Sequence, residues 1–282
     1  MGLRIGCVSF LNARRLIEPL MLIRQQEGGL AEGIHQSEIH FAPPSVLVHQ
    51  MELGKLDVAL ISSVAAIEHP DWTHVKGVSI SCWGKVHSVK LYCRHHPARV
   101  RTLGLDPASM TANALAQIIL RKRYGGRPSP VLLGFEDDPT KREDLDAYVI
   151  IGDRCLTHVP DEHVHTVLDL GEEWRKLADL PFVFALWSIR PGVELGPIEA
   201  EMQAAPRRSE HWSREIAERF GPQIGIAPDF AEEYINRVIR YTLAYEELQG
   251  LEEFKRNIFS NNIPLHTGMS SSRRFAIPET RP

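Results

Sequence analysis

The chain begins with a short apolar strand that leads directly into a polar turn and then a helix. Residues 4–14 read Arg-Ile-Gly-Cys-Val-Ser-Phe-Leu-Asn-Ala-Arg, so Ser9 and Asn12 stand at the end of the predicted strand Leu3–Val8. This arrangement is typical of open α/β sheets, in which the turns after the strands meet the amino ends of the helices. The free N–H groups at those helix ends favour anionic ligands. The first strand therefore predicts a fold class and the place of a site.

The same alternation of strands and helices occurs twice along the chain. Two such units predict two similar α/β lobes with a ligand cleft between them. Trp83-Gly84-Lys85 is predicted to be the turn that joins the strand segments 75–81 and 86–94. The further apolar segments with strand character are 38–41, 57–61, 75–81, 86–94, 100–105, 131–135, 147–151, 164–168 and 182–189.

Helical spacing dominates the sequence from Ser209 onward. The residues Trp212, Ile216 and Phe220 form an i, i+4 stripe. The segment 230–248 is predicted to be a single amphipathic helix that is broken at Gly250. Residues 270–282 are polar and contain proline, so we expect them to fray.

The composition excludes several classes of protein. The 282 residues carry a formal net charge of −4, which gives no basic footprint for nucleic acid. The spacing of the 4 cysteines matches no metal or redox motif, and Cys7, Cys82 and Cys93 are predicted to be buried. The first twenty residues or so lack the pattern of a signal peptide, and no segment is apolar enough to span a bilayer. We therefore expect a cytoplasmic protein without a metal site or a membrane partner.

Small polar residues follow almost every predicted strand. One such residue can simply cap its helix, and Ser45 is the predicted N-cap of the helix that runs through Leu53. Hydroxyl and N–H donors at every strand end together favour a small anionic ligand in the cleft. No nucleophile elbow, P-loop or dinucleotide fingerprint is present. The candidate site residues are Ser9, Asn12, Ser45, Ser62, Ser63, Ser109, Thr111, Gly152 and Asp153.

Several strings of the sequence resemble chorismate dehydratases, which are enzymes of the futalosine route to menaquinone. The chain departs from that family's pattern at Arg15, where proline is common, and at Ala112, where serine is common. The resemblance implies a two-lobe fold like that of the type II periplasmic binding proteins, in which the chain crosses to the second lobe and returns. Lobe one would then comprise residues 1–93 and 191–282, with the C-terminal helices covering it, and lobe two would comprise residues 94–190. The similar strings are Val8–Ala13, Leu56–Ser63, Ser81–Val89, Ile150–Leu156, Asp169–Arg175 and Leu180–Trp187.

The resemblance also implies a reaction. The chain would remove water from chorismate to give 3-(1-carboxyvinyloxy)benzoate, as a carbon–oxygen lyase that uses no cofactor and acts on a small dicarboxylate. Asn12 would be catalytic, because it would orient the substrate's side-chain carboxylate while that group removes the proton. Two alternatives stay open, namely a non-catalytic solute-binding protein for a small anion and the sister dihydroxynaphthoate synthase of the same pathway.

Overall fold

Two β-sheets organise the part of the chain that this computed structural model describes, which is residues 2–25 and 36–264. The predicted fraying of residues 270–282 lies outside the described residues. The strands are β1 Arg4–Cys7, β2 Glu38–Phe41, β3 Val58–Ser62, β4 Thr73–Cys82, β5 Val89–Cys93, β6 Thr102–Leu105, β7 Ser129–Leu132, β8 Ala147–Ile151, β9 Thr166–Asp169, β10 Phe182–Ile189 and β11 Ile239–Leu243. The helices are α1 Arg14–Gln25, α2 Pro44–Glu52, α3 Ser63–Glu68, α4 Met110–Tyr124, α5 Asp153–Thr157, α6 Leu170–Ala178, α7 Pro197–Arg208, α8 Ser213–Phe220, α9 Pro228–Glu233 and α10 Tyr245–Ser260.

Each sheet forms the centre of one lobe. The larger sheet has the strand order β11-β4-β10-β3-β1-β2, and the smaller sheet has the order β7-β6-β8-β5-β9. Within the larger sheet β1 pairs in parallel with β2 and β3, and within the smaller sheet β6 pairs in parallel with β7 and β8. The core strands β3 and β8 are buried along their whole length. The predicted two-lobe α/β architecture is confirmed by this pair of sheets.

The chain crosses between the lobes earlier than the boundaries near residues 93 and 191 that the sequence predicts. The strand β5 pairs with β8 and β9 in the smaller sheet, whereas β10 pairs with β3 and β4 in the larger one. The crossings therefore lie between Cys82 and Val89 and between Asp169 and Phe182. Strands β4 and β5 lie in different sheets and do not pair with each other. The sequence does not distinguish these cases, because a short polar turn between two apolar segments looks the same whether the strands pair or diverge.

The carboxylate of Asp169 holds the two crossings together. In the first crossing it accepts hydrogen bonds from the backbone N–H of Val86 at 3.0 and 3.1 Å and from that of His87 at 2.8 Å. At the start of α6, which leads into the second crossing, it accepts from Gly171 and Glu172, both at 3.1 Å. His87 has a φ of 62°, which is unfavourable for a residue other than glycine. The hydrogen bonds to Asp169 stabilise that conformation.

The predicted single helix over 230–248 is wrong. Helix α9 ends at Glu233, a π-helical turn covers Tyr234–Val238, and β11 then pairs antiparallel with β4. The apolar residues of this segment fit both a helical and a strand period, so the pairing with β4 decides the structure. Gly250 lies inside α10, where an added Cβ would be 2.0 Å from the carbonyl oxygen of Pro181. Glycine therefore lets α10 approach the second crossing closely.

Arg15 joins α1 to the C-terminal segment. Its guanidinium donates to the carbonyl oxygens of Pro206 at 2.6 Å and Ile235 at 3.2 Å, and to the side chain of Asn236 at 3.0 Å. It also lies over the ring of Tyr241, 5.0 Å from the ring centroid. The residue that departs from the usual proline is thus buried and fixes the π-helical turn against lobe one.

Candidate functional site

A cavity lies between the two lobes at the carboxyl ends of strands from both sheets. Its volume is about 60 Å³, which leaves space for only a few water molecules. The two lobes therefore stand close together. Most of the wall is apolar, with Phe10 and Phe184 as its aromatic residues. The polar positions in the wall are Asn12, Ser62, Ser88, Ser109 and Gly152.

Asn12 lines the cavity with a side-chain acceptor that the protein leaves unsatisfied. It stands in the 3-10 turn Leu11–Ala13 between β1 and α1. Its Oδ1 atom is buried and has no hydrogen-bond partner among the described residues. Burial raises the pKa of the Tyr234 hydroxyl well above its usual value, and the Ser88 and Asn12 side chains oppose this rise. A buried carbonyl oxygen without a partner is the kind of group that a ligand satisfies.

Two of the candidate serines cap helices and also line the cavity. Ser62 Oγ accepts a hydrogen bond of 3.4 Å from Ala65 N at the start of α3. Ser109 Oγ accepts one of 3.1 Å from Ala112 N at the start of α4. The helix α4 has 15 residues, so its amino end brings a positive partial charge to the cavity.

Two other candidate serines do not have the roles that the sequence predicts for them. Ser45 is not an N-cap, because α2 begins with Pro44 after Pro43 and makes no side-chain cap. Proline in the first turn provides the required φ without a capping side chain. The Oγ atom of Ser45 is buried without a partner, beside the wall residue Pro44. Ser9 is exposed and outside the wall, and its carbonyl oxygen accepts a hydrogen bond of 3.0 Å from Arg14.

Ser63 and Thr111 connect the lobes and do not line the cavity. Their hydroxyl oxygens lie 3.3 Å apart, and Ser63 donates to the carbonyl oxygen of Val183 at 2.7 Å. Thr111 accepts a hydrogen bond of 3.0 Å from the backbone N–H of Val64. All four residues are buried. Both hydroxyls are therefore engaged by protein in this closed arrangement.

Gly152 and Asp153 form a second contact between the lobes. The backbone N–H of Leu11 donates to the Asp153 carboxylate, 2.9 Å from Oδ1 and 3.2 Å from Oδ2. Burial raises the pKa of Asp153 to about 6, while the Leu11 N–H and the charge of Arg14 oppose this change. Gly152 has a φ of 69°, and an added Cβ would lie 2.9 Å from the Phe10 ring. Only glycine fits both requirements, so Phe10 of lobe one packs directly on lobe two.

Sequence reasoning missed Ser88 as a site residue. It lies on the first crossing, lines the cavity and accepts a hydrogen bond of 2.7 Å from the Tyr234 hydroxyl. The signal was present, because Ser88 is a polar residue next to the apolar strand β5 inside one of the strings that carry the resemblance. Its partner Tyr234 is 146 residues further along the chain, and no local pattern shows that contact.

The described ranges lack two further kinds of feature that the sequence analysis considers. They contain no group of three or more His, Cys, Asp or Glu side chains that could hold a metal ion. None of their helices has the length and apolarity needed to cross a membrane. The predicted burial of Cys7, Cys82 and Cys93 is confirmed, and Cys155 is also buried and unpaired.

Sequence comparisons place the chain among biosynthetic proteins. A family model described as menaquinone biosynthesis matches residues 3–259. A chorismate dehydratase from Thermus thermophilus is 30% identical over 236 residues, which are 76% of this chain and 83% of that protein.

Structural comparisons confirm the predicted periplasmic-binding-protein-like fold. Protein AF1704 from Archaeoglobus fulgidus superposes with a TM-score of 0.71 at 16% identity, and the match covers 93% of this chain and 98% of that one. The periplasmic aliphatic sulphonate-binding protein SsuA from Escherichia coli superposes with a TM-score of 0.59 at 13% identity, covering 93% of this chain and 92% of that one.

Proposed function

Since the chain belongs to the menaquinone-biosynthesis family that includes chorismate dehydratase, we propose that it removes water from chorismate to give 3-(1-carboxyvinyloxy)benzoate. A proton leaves the ring carbon that bears the enolpyruvyl ether, and the neighbouring hydroxyl departs to complete one molecule of water. The ring becomes aromatic, which drives the reaction without an oxidant or a reductant. The protein would thus be a hydro-lyase.

The observation that carries the proposal is the chemistry of the cavity wall. The described residues that line it include one amide, three hydroxyl groups and many apolar side chains, but no side chain that titrates. A general base must lie within hydrogen-bonding reach of the proton that it removes. In a wall of this kind the substrate's own enolpyruvyl carboxylate, which is attached next to that proton, is the base that the geometry leaves. The protein's part is to orient the substrate.

A dicarboxylate also matches the electrostatics of the cleft. Pro44 at the start of α2 and Ser109 at the start of α4 both line the cavity. Their helices present positive ends to it, so an anion is stabilised without a cationic side chain in the wall. We further propose that the enzyme works in the cytoplasm, since the four unpaired cysteines suit a reducing compartment.

The test is direct incubation of the purified protein with chorismate. We expect the benzoate product and one equivalent of water. Mass spectrometry and the absorbance of the new aromatic ring measure the product. A chelator should leave the rate unchanged, and heat-inactivated protein is the control. Activity that a divalent ion restores after chelation would contradict the cofactor-free reaction. Tight binding of chorismate without turnover would favour the non-catalytic solute-binding alternative.

A further inference from the structure

A strained turn in the first crossing leads the chain into the cavity wall. The backbone N–H of Ser88 donates to the carbonyl oxygen of Val86 at 2.7 Å, and His87 between them has a φ of 62°. A hydrogen bond from residue i+2 to residue i around a central residue of positive φ defines the rarer form of the γ-turn, which is strained. Because His87 carries a Cβ, it lacks the freedom that glycine has in this conformation. Other contacts must therefore hold the turn in place.

The surrounding protein satisfies the backbone groups of this γ-turn. The Asp169 carboxylate accepts the N–H groups of its first two residues. The carbonyl oxygen of His87 accepts a hydrogen bond of 3.5 Å from Cys155 Sγ, and that of Ser88 accepts one of 2.8 Å from the backbone N–H of Gly152. A strained conformation persists only where its surroundings determine it in this way, and such residues cluster at functional sites.

The two carboxylate oxygens of Asp169 have different partners. The Oδ2 atom accepts the His87 N–H at 2.8 Å, whereas Oδ1 accepts the N–H groups of Gly171 and Glu172 at the start of α6. Both oxygens also lie within hydrogen-bonding distance of the Val86 N–H, at 3.0 and 3.1 Å. Support of His87 and capping of α6 thus depend on separate atoms, so a substitution can remove the first and keep the second.

The γ-turn determines where part of the cavity wall lies. Val86, Ser88 and Val89 all line the cavity, and they stand on both sides of His87. A change in the φ angle of His87 would rotate the chain after it, so Ser88 would move relative to Val86. The shape of this part of the wall therefore depends on one backbone angle.

We infer that Asp169 is a positioning residue, which holds His87 in the left-handed conformation and thereby fixes the cavity wall for turnover. Asp169 acts through the backbone of the first crossing and not through contact with the substrate. This inference rests on the proposed function, because turnover of chorismate is its readout.

The test is a double-mutant cycle between Asp169→Asn and substitutions of His87. The carbonyl oxygen of an asparagine can still cap α6, since asparagine and aspartate are equally good N-caps, but its NH2 group replaces the oxygen that faces the His87 N–H. We expect kcat/KM on chorismate to fall at least about tenfold. The matched control is Asp146→Asn, which should stay within about twofold of the parent. The Asp146 carboxylate accepts the backbone N–H groups of Arg101 and Thr102 before the start of β8, whereas the cavity lies at the end of that strand.

Glycine at position 87 separates support of the turn from capping of the helix. Glycine adopts a φ of 62° without a steric penalty, so in a His87→Gly background Asp169→Asn should lower kcat/KM by less than about threefold. His87→Ala also removes the imidazole ring, which contacts the edge of Phe230, but it keeps the Cβ. In the His87→Ala background Asp169→Asn should therefore again lower kcat/KM at least about tenfold.

An equal loss in all three backgrounds would show that Asp169 only caps α6 and would overturn the inference, and so would unchanged turnover in Asp169→Asn. If Asp169→Asn does not fold, His87→Val is compared with His87→Ala. A β-branched side chain is strongly disfavoured at positive φ, so kcat/KM of His87→Val should be at least about tenfold lower, and equal values would overturn the inference. A parent protein that does not consume chorismate would refute the proposed function and this inference with it, whereas an active parent with equal losses in all backgrounds would refute the inference alone.

Discussion

Replacement of Asp153 by asparagine should stabilise the folded protein at neutral pH. The Asp153 carboxylate accepts the Leu11 N–H across the interface between the lobes, and burial raises its pKa from 3.8 to about 6. The carbonyl oxygen of an asparagine can accept the same hydrogen bond. It carries no charge, so burial imposes a smaller penalty on it.

The magnitude follows from the pKa of Asp153. Because this pKa is higher in the folded protein than in the unfolded chain, the folded state retains a proton that the unfolded chain has already released between about pH 4 and pH 6. The free energy of unfolding therefore decreases as the pH rises through this window. The change from 3.8 to about 6 corresponds to about 3 kcal/mol. Relative to the parent, the free energy of unfolding of Asp153→Asn should therefore rise by up to that amount between acid and neutral pH.

Urea unfolding followed by tryptophan fluorescence at pH values from about 4 to about 7.5 measures this difference. Asp71→Asn, which changes an exposed carboxylate before β4, is the control and should track the parent. Any fixed cost of burying the extra amide of asparagine is the same at every pH, so the slope of the difference is the decisive quantity. A difference that stays constant across the window, or one that turns against the variant as the pH rises, would refute the reasoning.

Two further substitutions test single contacts in the cleft. Asn12→Asp should lower kcat on chorismate at least about tenfold, because a carboxylate would face an anionic substrate. Steady-state kinetics measure this change, with Asn262→Asp as the exposed control. Equal kcat values for the parent and both variants would contradict the prediction. Gly152→Ala should reduce the free energy of unfolding by more than Gly192→Ala, since both have positive φ but only the first meets another residue, with Phe10 2.9 Å from the added Cβ. Equal losses in thermal unfolding would show that backbone strain alone is responsible.

The sequence predicts those parts of the fold that local patterns determine. The strand before Asn12 follows from an apolar run that ends on small polar residues. The strings that resemble chorismate dehydratase include Asp169, whose carboxylate the structure assigns to four backbone N–H groups at the crossings. Part of the family resemblance therefore reflects structural requirements and not chemistry.

Long-range pairing accounts for what the sequence does not predict. The segment that forms β11 has apolar spacing compatible with a helix, and only its partner β4 makes it a strand. The hydrogen bond between Tyr234 and Ser88 joins residues 146 positions apart. Ser63 and Thr111 have the residue types expected of ligand-binding groups, yet they face each other across the closed lobes. No local pattern distinguishes these outcomes.

The strand order of the larger sheet also imposes an order on folding. Since β10 lies between β3 and β4, this sheet cannot form until residues 182–189 are available. All strands of the smaller sheet lie within the continuous stretch 89–169, which can pair without the rest of the chain. In pulsed hydrogen exchange during refolding, we expect protection of β5 and β8 before β3 and β10, and simultaneous protection would contradict this order. The turn that carries Asn12 lies near the start of the chain, but the π-helical turn Tyr234–Val238 that packs against it lies in the C-terminal part.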